Sequence, residues 1–174
     1  RRAAQILARR PDLQIVTIRG NVQTRLAKLE RGEADATLLA AAGLDRLGMG
    51  EVGTLIRDML PAPAQGAVGI EVRSDDEETA RVVAAIDHLS THRCIAAERK
   101  LLEGLGGNCR SPVAALATCT DGIIRLRAEI LTNDGSEAVR EEVTFHVEDA
   151  ESPLALAHIL LNRASPALRA LFNG

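Results

Sequence analysis

The spacing of apolar residues changes along the chain, and the changes divide it into elements. Ala3, Ile6 and Leu7, with Arg10 continuing the same face, follow helical spacing until Pro11-Asp12 ends the run. Residues 13–18 form a short β-branched run that predicts a strand, broken by Arg19-Gly20-Asn21. Helical spacing returns over 22–32, with Val22, Leu26 and Leu29 on one face, then comes a second short apolar run at 35–40 and a helix around 41–47. This β-turn-α-β alternation predicts an α/β lobe, a parallel sheet with helices against it. The segment Leu60-Pro61-Ala62-Pro63-Ala64-Gln65 reads as a linker, because its two prolines disfavour helix and favour extended backbone.

The second half follows a different pattern. Residues 66–73 read as one more strand, and Asp75-Asp76 caps a helix running to about 88. A further helix over 93–105 ends in Gly106-Gly107-Asn108-Cys109-Arg110-Ser111-Pro112. Three strand-like runs follow at 113–118, 123–131 and 137–147, separated by Asp121-Gly122 and by Asn133-Asp134-Gly135, both hairpin signals. Pro153 opens a helix at its first turn, with Leu154, Ala157, Leu160 and Leu161 inward. Leu168, Leu171 and Phe172 complete a last apolar face. From about residue 89 the order α-β-β-β-α predicts an α+β domain with a three-stranded antiparallel sheet. The first helix starts at residue one with no Met and no capping residue, so an N-terminally truncated piece of a longer protein is expected, whereas Asn173-Gly174 reads as a natural helix end.

Composition narrows the function classes. The 174 residues carry 21 basic and 24 acidic side chains, a net charge of −3, no Trp, no Tyr and two Phe. A nucleic-acid surface wants a basic excess and stacking rings, and neither is present. Three cysteines, Cys94, Cys109 and Cys119, make neither a disulfide framework nor a zinc ribbon. No apolar run approaches the ~18–20 residues of a membrane span and no signal peptide is visible, so a soluble cytoplasmic protein is expected. The basic residues are 19 Arg and only 2 Lys. A GC-rich genome explains such a bias, and so does recognition of carboxylates or phosphates by guanidinium forks; composition alone does not choose.

Candidate chemistry concentrates at a few positions. Cys109 sits in a glycine-flanked loop beside Arg110, where nearby positive charge favours the thiolate, while Cys94 and Cys119 read as small buried hydrophobes. Asn21 is a good N-cap, and the first N–H groups of the helix it starts form an anion site of the usual kind, with Arg19 and Arg25 near it and Arg1 and Arg2 as possible additions from the neighbouring helix. An ordinary βα turn with solvated arginines is the competing reading. His88, His92 and Cys94 are close in sequence but lack a fourth ligand, so capping or solvated histidines, and no metal, are expected.

The segment Glu98-Arg99-Lys-Leu-Leu-Glu-Gly-Leu-Gly-Gly107-Asn108-Cys109-Arg110-Ser111-Pro112 resembles the cofactor-attachment signature of the hydroxymethylbilane synthase (porphobilinogen deaminase) family. Further segments are similar to the family in the same order: Arg1-Arg2 with Arg9-Arg10-Pro-Asp-Leu, Arg19-Gly20-Asn21-Val-x-Thr-Arg25-Leu, Ala41-Ala-Gly-Leu-x-Arg46-Leu, and Leu60-Pro-Ala-x-x-Gln65-Gly66-Ala67. The stretch after Asp121 is the weakest part of the match. Two departures stand out: Asn108 occupies a position where the family prefers Gly, Ser or Ala, and Ser111 one where it usually has Ile, Val or Thr.

The resemblance implies three domains, two of them like type II periplasmic binding proteins. Residues 1–61 would be the later part of domain 2, 62–65 a hinge, 66–87 a segment returning to domain 1, and 88–174 the third domain with the cysteine loop. It implies a transferase that condenses four porphobilinogen molecules, with loss of ammonia, onto a dipyrromethane primer held by a thioether to Cys109. It also implies that Arg1, Arg2, Arg19, Gly20, Asn21, Arg25, Arg46 and Gln65 contact the cofactor and the growing chain's carboxylates. The family's catalytic aspartate is expected outside this chain, so no residue here is nominated as catalytic and the chain alone is expected to be inactive. A monomer when full length is expected. The alternative is a non-catalytic, periplasmic-binding-protein-like module for a small anion.

Overall fold

The computed structural model describes residues 1–108 and 111–172. The chain divides into two compact units, one made of Arg1–Pro11 with Met59–Gly174 and the other of Asp12–Asp58. The elements in order are α1 (Arg2–Arg9), α2 (Val22–Glu30), α3 (Ala41–Arg46), α4 (Glu77–Ala84), α5 (Leu89–Gly104), β1 (Val113–Thr120), β2 (Ile123–Leu131), β3 (Ala138–His146), α6 (Ser152–Arg163) and α7 (Pro166–Arg169), closed by a 3-10 turn at Ala170–Phe172.

The antiparallel sheet of the larger unit has the order β1-β2-β3, as the sequence pattern predicts. Asp121 and Gly122 both take positive φ, 50° and 76°, the backbone a two-residue hairpin needs to match strand twist. The turn sets Thr120 opposite Ile123 and places Ala117 opposite Leu126. With that register, Ala115, Ala117, Ile124, Leu126, Ala128, Ile130 and Phe145 join one core with α5 and α6. The alanines leave room for the helices, whose Leu101, Leu156 and Leu160 are essentially inaccessible, as is Leu105 at the C-cap of α5. Each such leucine contributes roughly 1.5–3 kcal/mol by leaving water.

Helix starts follow local chemistry. Asp76 accepts from the Thr79 N–H to start α4, and His88 accepts from the Thr91 N–H to start α5, so the capping reading of this histidine holds. The helix thus begins at Leu89, four residues before the spacing predicts. Ser165 caps α7, with Pro166 at its first position. The Glu137 carboxylate accepts from both the N–H and the hydroxyl of Ser165, tying the start of β3 to that cap.

Several expectations need correction. On α1 the buried residues are Ala4 and Gln5, not the face of Ala3, Ile6, Leu7 and Arg10, because this helix packs through Ala4, Leu7 and Ala8 on the backbone at Gly135. On α6, Leu156 is buried and Leu154 and Leu161 are only half-buried. Leu171 is exposed, since the tighter 3-10 turn brings Leu168 and Phe172 inward instead. The largest correction concerns 13–18, 35–40 and 66–73, where no strand forms among the described residues. A strand exists only when a neighbour takes up its N–H and C=O groups, and β-branched content supplies propensity without a neighbour. Leu13, Ile15 and Val16 in one unit, and Val68, Ile70 and Val72 in the other, accordingly stand exposed, Val68 at 86 %. The smaller unit consists of α2, α3 and their connections, with Leu44 its buried anchor.

Candidate functional site

The segment that carries Cys109 lies between α5 and β1. Gly106 takes φ +63°, and a Cβ there would stand 2.7 Å from the Phe172 carbonyl oxygen. A Cβ at Gly107 would stand 2.6 Å from Leu102. Gly106 is therefore required by conformation and by close approach to backbone, whereas at Gly107 the end of the Leu102 side chain would have to move aside. The Asn108 N–H donates to the Ser111 hydroxyl at 3.0 Å, and the Ser111 N–H donates back to the Asn108 carbonyl at 3.0 Å. These reciprocal bonds bracket positions 109 and 110, and of the Ile, Val or Thr usual at position 111 in the resembled family only Thr carries a hydroxyl for the same role. Cys109 and Arg110 themselves lie outside the described residues. The other two cysteines are free and half-buried against the core, where burial first, then the neighbouring Cys119 and Glu98, push the Cys94 thiol above its ordinary range.

In the smaller unit, Asn21 accepts from the Thr24 N–H at 2.9 Å and from the Thr24 hydroxyl at 2.8 Å, the N-cap expected of it. Gly20 takes φ +121°, and a Cβ there would collide with Thr24 at 2.7 Å. The Arg25 Nε donates to the Gly20 carbonyl at 2.9 Å, folding that side chain back over the turn. Arg19 is exposed beside it, and Arg46 is exposed in the last turn of α3. Glycine, cap and arginine thus converge on one helix start whose N–H groups favour an anion.

In the larger unit, Arg1 and Gln65 come together, but through a structural contact. One Arg1 nitrogen donates to the Leu60 carbonyl at 2.9 Å and another to Gln65 Oε1 at 3.1 Å. Burial, and then the adjacent Arg2, lower the Arg1 guanidinium below its ordinary value. Arg2 is exposed on the same helix.

Two residues without a predicted role hold this region. Gln5, 2 % exposed, donates to the Leu60 carbonyl and accepts from the Leu60 N–H, both at 3.0 Å. Glu98, 3 % exposed, accepts from the Ala64 N–H at 2.6 Å and the Ala117 N–H at 2.7 Å. Burial raises its carboxyl above the usual range, against the two backbone bonds that favour the charge. A polar residue beside Ala4 is the sequence signal for Gln5, and Glu98 stands beside Ala97 at the start of the segment that resembles the cofactor-attachment signature.

Taken together these parts define a mixed α/β chain with a glycine-shaped loop on an antiparallel α+β domain and, in the other unit, an arginine-flanked anion-type turn. Residues 1–81 match the family model described as porphobilinogen deaminase, dipyromethane cofactor binding domain. Residues 92–162 match the model described as porphobilinogen deaminase, C-terminal domain. The chain belongs to the porphobilinogen deaminase family. It is 57 % identical over 175 residues to the porphobilinogen deaminase of Sphingopyxis alaskensis, covering 99 % of this chain and 55 % of that protein. It is 53 % identical over 145 residues to that of Paracoccus denitrificans, 82 % of this chain and 46 % of the relative. To that of Chlorobium chlorochromatii it is 43 % identical over 176 residues, 97 % and 56 % respectively. The chain therefore spans about half the length of the curated relatives it matches. No helix among the described residues is long and apolar enough to cross a membrane.

Proposed function

We propose that this chain belongs to a hydroxymethylbilane synthase, which joins four porphobilinogen units with loss of ammonia onto a dipyrromethane primer attached through Cys109. The observation that carries the reading is the match of both halves of the chain to porphobilinogen deaminase models, one of them described by that cofactor. The described residues on either side of Cys109 suit the group: Gly106 leaves no room for a Cβ against the Phe172 carbonyl, and the reciprocal Asn108–Ser111 bonds tie the two flanks of the segment together. When bound, the dipyrromethane supplies the pyrrole carbon to which incoming units are joined. A thiol suits the attachment because sulfur forms a thioether with an electrophilic methylene without a strong base.

Each pyrrole ring brings an acetate and a propionate, so elongation accumulates carboxylates, and guanidinium forks are the side chains that bind these with two parallel hydrogen bonds. In this reading Arg19, Arg25, Arg46 and Arg2, with the N–H groups at Gly20 and Asn21, receive carboxylates. Arg1 and Gln65 contribute by fixing the chain at Leu60. Residues 1–61 are the later part of a periplasmic-binding-protein-like domain 2, 62–65 a hinge, 66–87 a segment returning to domain 1, and 88–174 the third domain. The exposed apolar residues Val68, Ile70 and Val72 support the third of these assignments, since a stretch with strand propensity lies uncovered in its own unit. No Asp of this chain is assigned the catalytic carboxylate. The protein is read as a cytoplasmic monomer.

Intact mass of the full-length protein tests the reading. The expected result is an adduct of two linked pyrroles that Cys109→Ala abolishes and that Cys94→Ala and Cys119→Ala retain. Full-length protein with no adduct and no turnover of porphobilinogen would overturn it. The 174 residues alone are expected to show no turnover.

A further inference from the structure

The linker at 60–65 is not held by packing alone. The Pro61 carbonyl accepts from the Ala115 N–H at 2.9 Å, Gln65 Oε1 accepts from the Ala62 N–H at 3.0 Å, and Glu98 accepts from the Ala64 N–H. Ala64 takes φ +60°, a left-handed conformation that a residue with a Cβ adopts only when its surroundings impose it. Glu98 also reaches the Ala117 N–H on β1 from its place on α5. The two elements it joins, α5 and β1, are the ones that flank the segment containing Cys109.

We infer that Glu98 is a bridging residue, a two-pronged acceptor that ties the linker at Ala64 to the middle of β1 at Ala117. The inference rests on these contacts and not on the function proposed above, so it stands or falls separately. Its chemistry is specific to glutamate. A carboxylate offers an acceptor oxygen to each N–H, and both partners are backbone groups on different segments. Glutamine of the same shape offers one oxygen and turns an NH2 group against the other N–H, donor facing donor. Aspartate keeps the charge but is one methylene short of spanning both. The position is therefore one where the isosteric replacement fails and where the failure is local to two amides.

Site-resolved amide exchange in the full-length protein tests this, with Glu98→Gln and Glu98→Asp compared with the parent. In Glu98→Gln, protection at Ala64, at Ala117 or at both falls by about tenfold or more, the size expected for a lost bond to a charged acceptor. The amides of the β2–β3 ladder serve as the internal reference and change by less than about threefold, since they share no partner with Glu98. Glu98→Asp retains protection at one of the two positions and loses it at the other. Unchanged exchange at both Ala64 and Ala117 in Glu98→Gln overturns the inference. So does a parallel loss at every amide, which would make Glu98 a contributor to global stability alone. Retention of both bonds in Glu98→Asp, or failure of both variants to fold, also counts against it.

Discussion

Gln5 brackets Leu60: its side-chain amide donates to the Leu60 carbonyl and accepts from the Leu60 N–H, so one side chain on α1 substitutes for a strand neighbour. Both residues are buried. Gln5→Leu leaves the Leu60 N–H without its acceptor, while the carbonyl keeps Arg1. The expected loss is about 1–3 kcal/mol of stability, the cost of one orphaned buried group. Urea unfolding reads it, and a change within about 0.3 kcal/mol of zero would contradict the role given to Gln5.

Gly135 closes the β2–β3 turn against α1 at φ +73°, and a Cβ there would lie 2.4 Å from the Ala4 carbonyl oxygen and 2.6 Å from the Ala8 nitrogen. Backbone atoms do not yield as a flexible side-chain end does. Gly135→Ala is expected to cost about 2–4 kcal/mol, combining left-handed strain with overpacking. Gly32→Ala is the control: its φ of +71° is similar but a Cβ there meets nothing, so about 1–2 kcal/mol is expected. Equal losses in the two variants, measured by denaturant midpoint, would show that the contact with α1 contributes nothing.

Asp134 in the same turn has its carboxyl lowered to about 2, through hydrogen bonds from the Thr132 side chain and then the Ser136 N–H and hydroxyl. A folded-state value below the unfolded one means that the stabilisation is fully present above the unfolded value of 3.8 and is lost as pH falls through about 2. Carboxyl titration by NMR is expected to place the Asp134 midpoint near 2, and Ser136 amide protection to fade over the same window. Asp134→Asn removes that pH dependence. A midpoint close to 3.8 would refute the bonding pattern.

Arg25 differs from Arg19 and Arg46 in being anchored through Nε to Gly20, which leaves the outer edge of the guanidinium to a ligand. Lysine has no second nitrogen to divide between the two tasks. In the full-length protein Arg25→Lys is expected to lower kcat/KM for porphobilinogen about tenfold or more, with α2 intact by amide exchange. Wild-type kinetics in Arg25→Lys would remove Arg25 from the carboxylate grip.

What the sequence made legible follows its physics. The three antiparallel strands were readable because Asp121-Gly122 and Asn133-Asp134-Gly135 mark their turns and because the pairing partners lie next to one another along the chain. Asn21, Asp76 and His88 were readable as caps or cap candidates, since capping depends on residues three apart. The runs at 13–18, 35–40 and 66–73 carry strand propensity, but pairing is a tertiary event that no local pattern encodes. Gln5 and Glu98 stayed hidden for a related reason. Each is defined by backbone groups 55 and 34 positions away, and nothing near them in sequence announces those partners. Arg1 was legible as a cation of interest and not as the tether of Leu60, because its binding partner is a carbonyl that only the fold brings near.

The uncovered row at Val68, Ile70 and Val72 has a consequence for how the molecule behaves at high concentration. An apolar, β-branched stretch with free backbone edges is a template for pairing with any similar stretch, its own included. Glu71 within the row, and Arg73 with Asp75 just beyond it, interrupt that template with charge. Colloidal behaviour therefore depends on a few flanking charges rather than on the packed core, and salt, which screens those charges, is the condition that would tip the 174 residues from dispersed to self-associated.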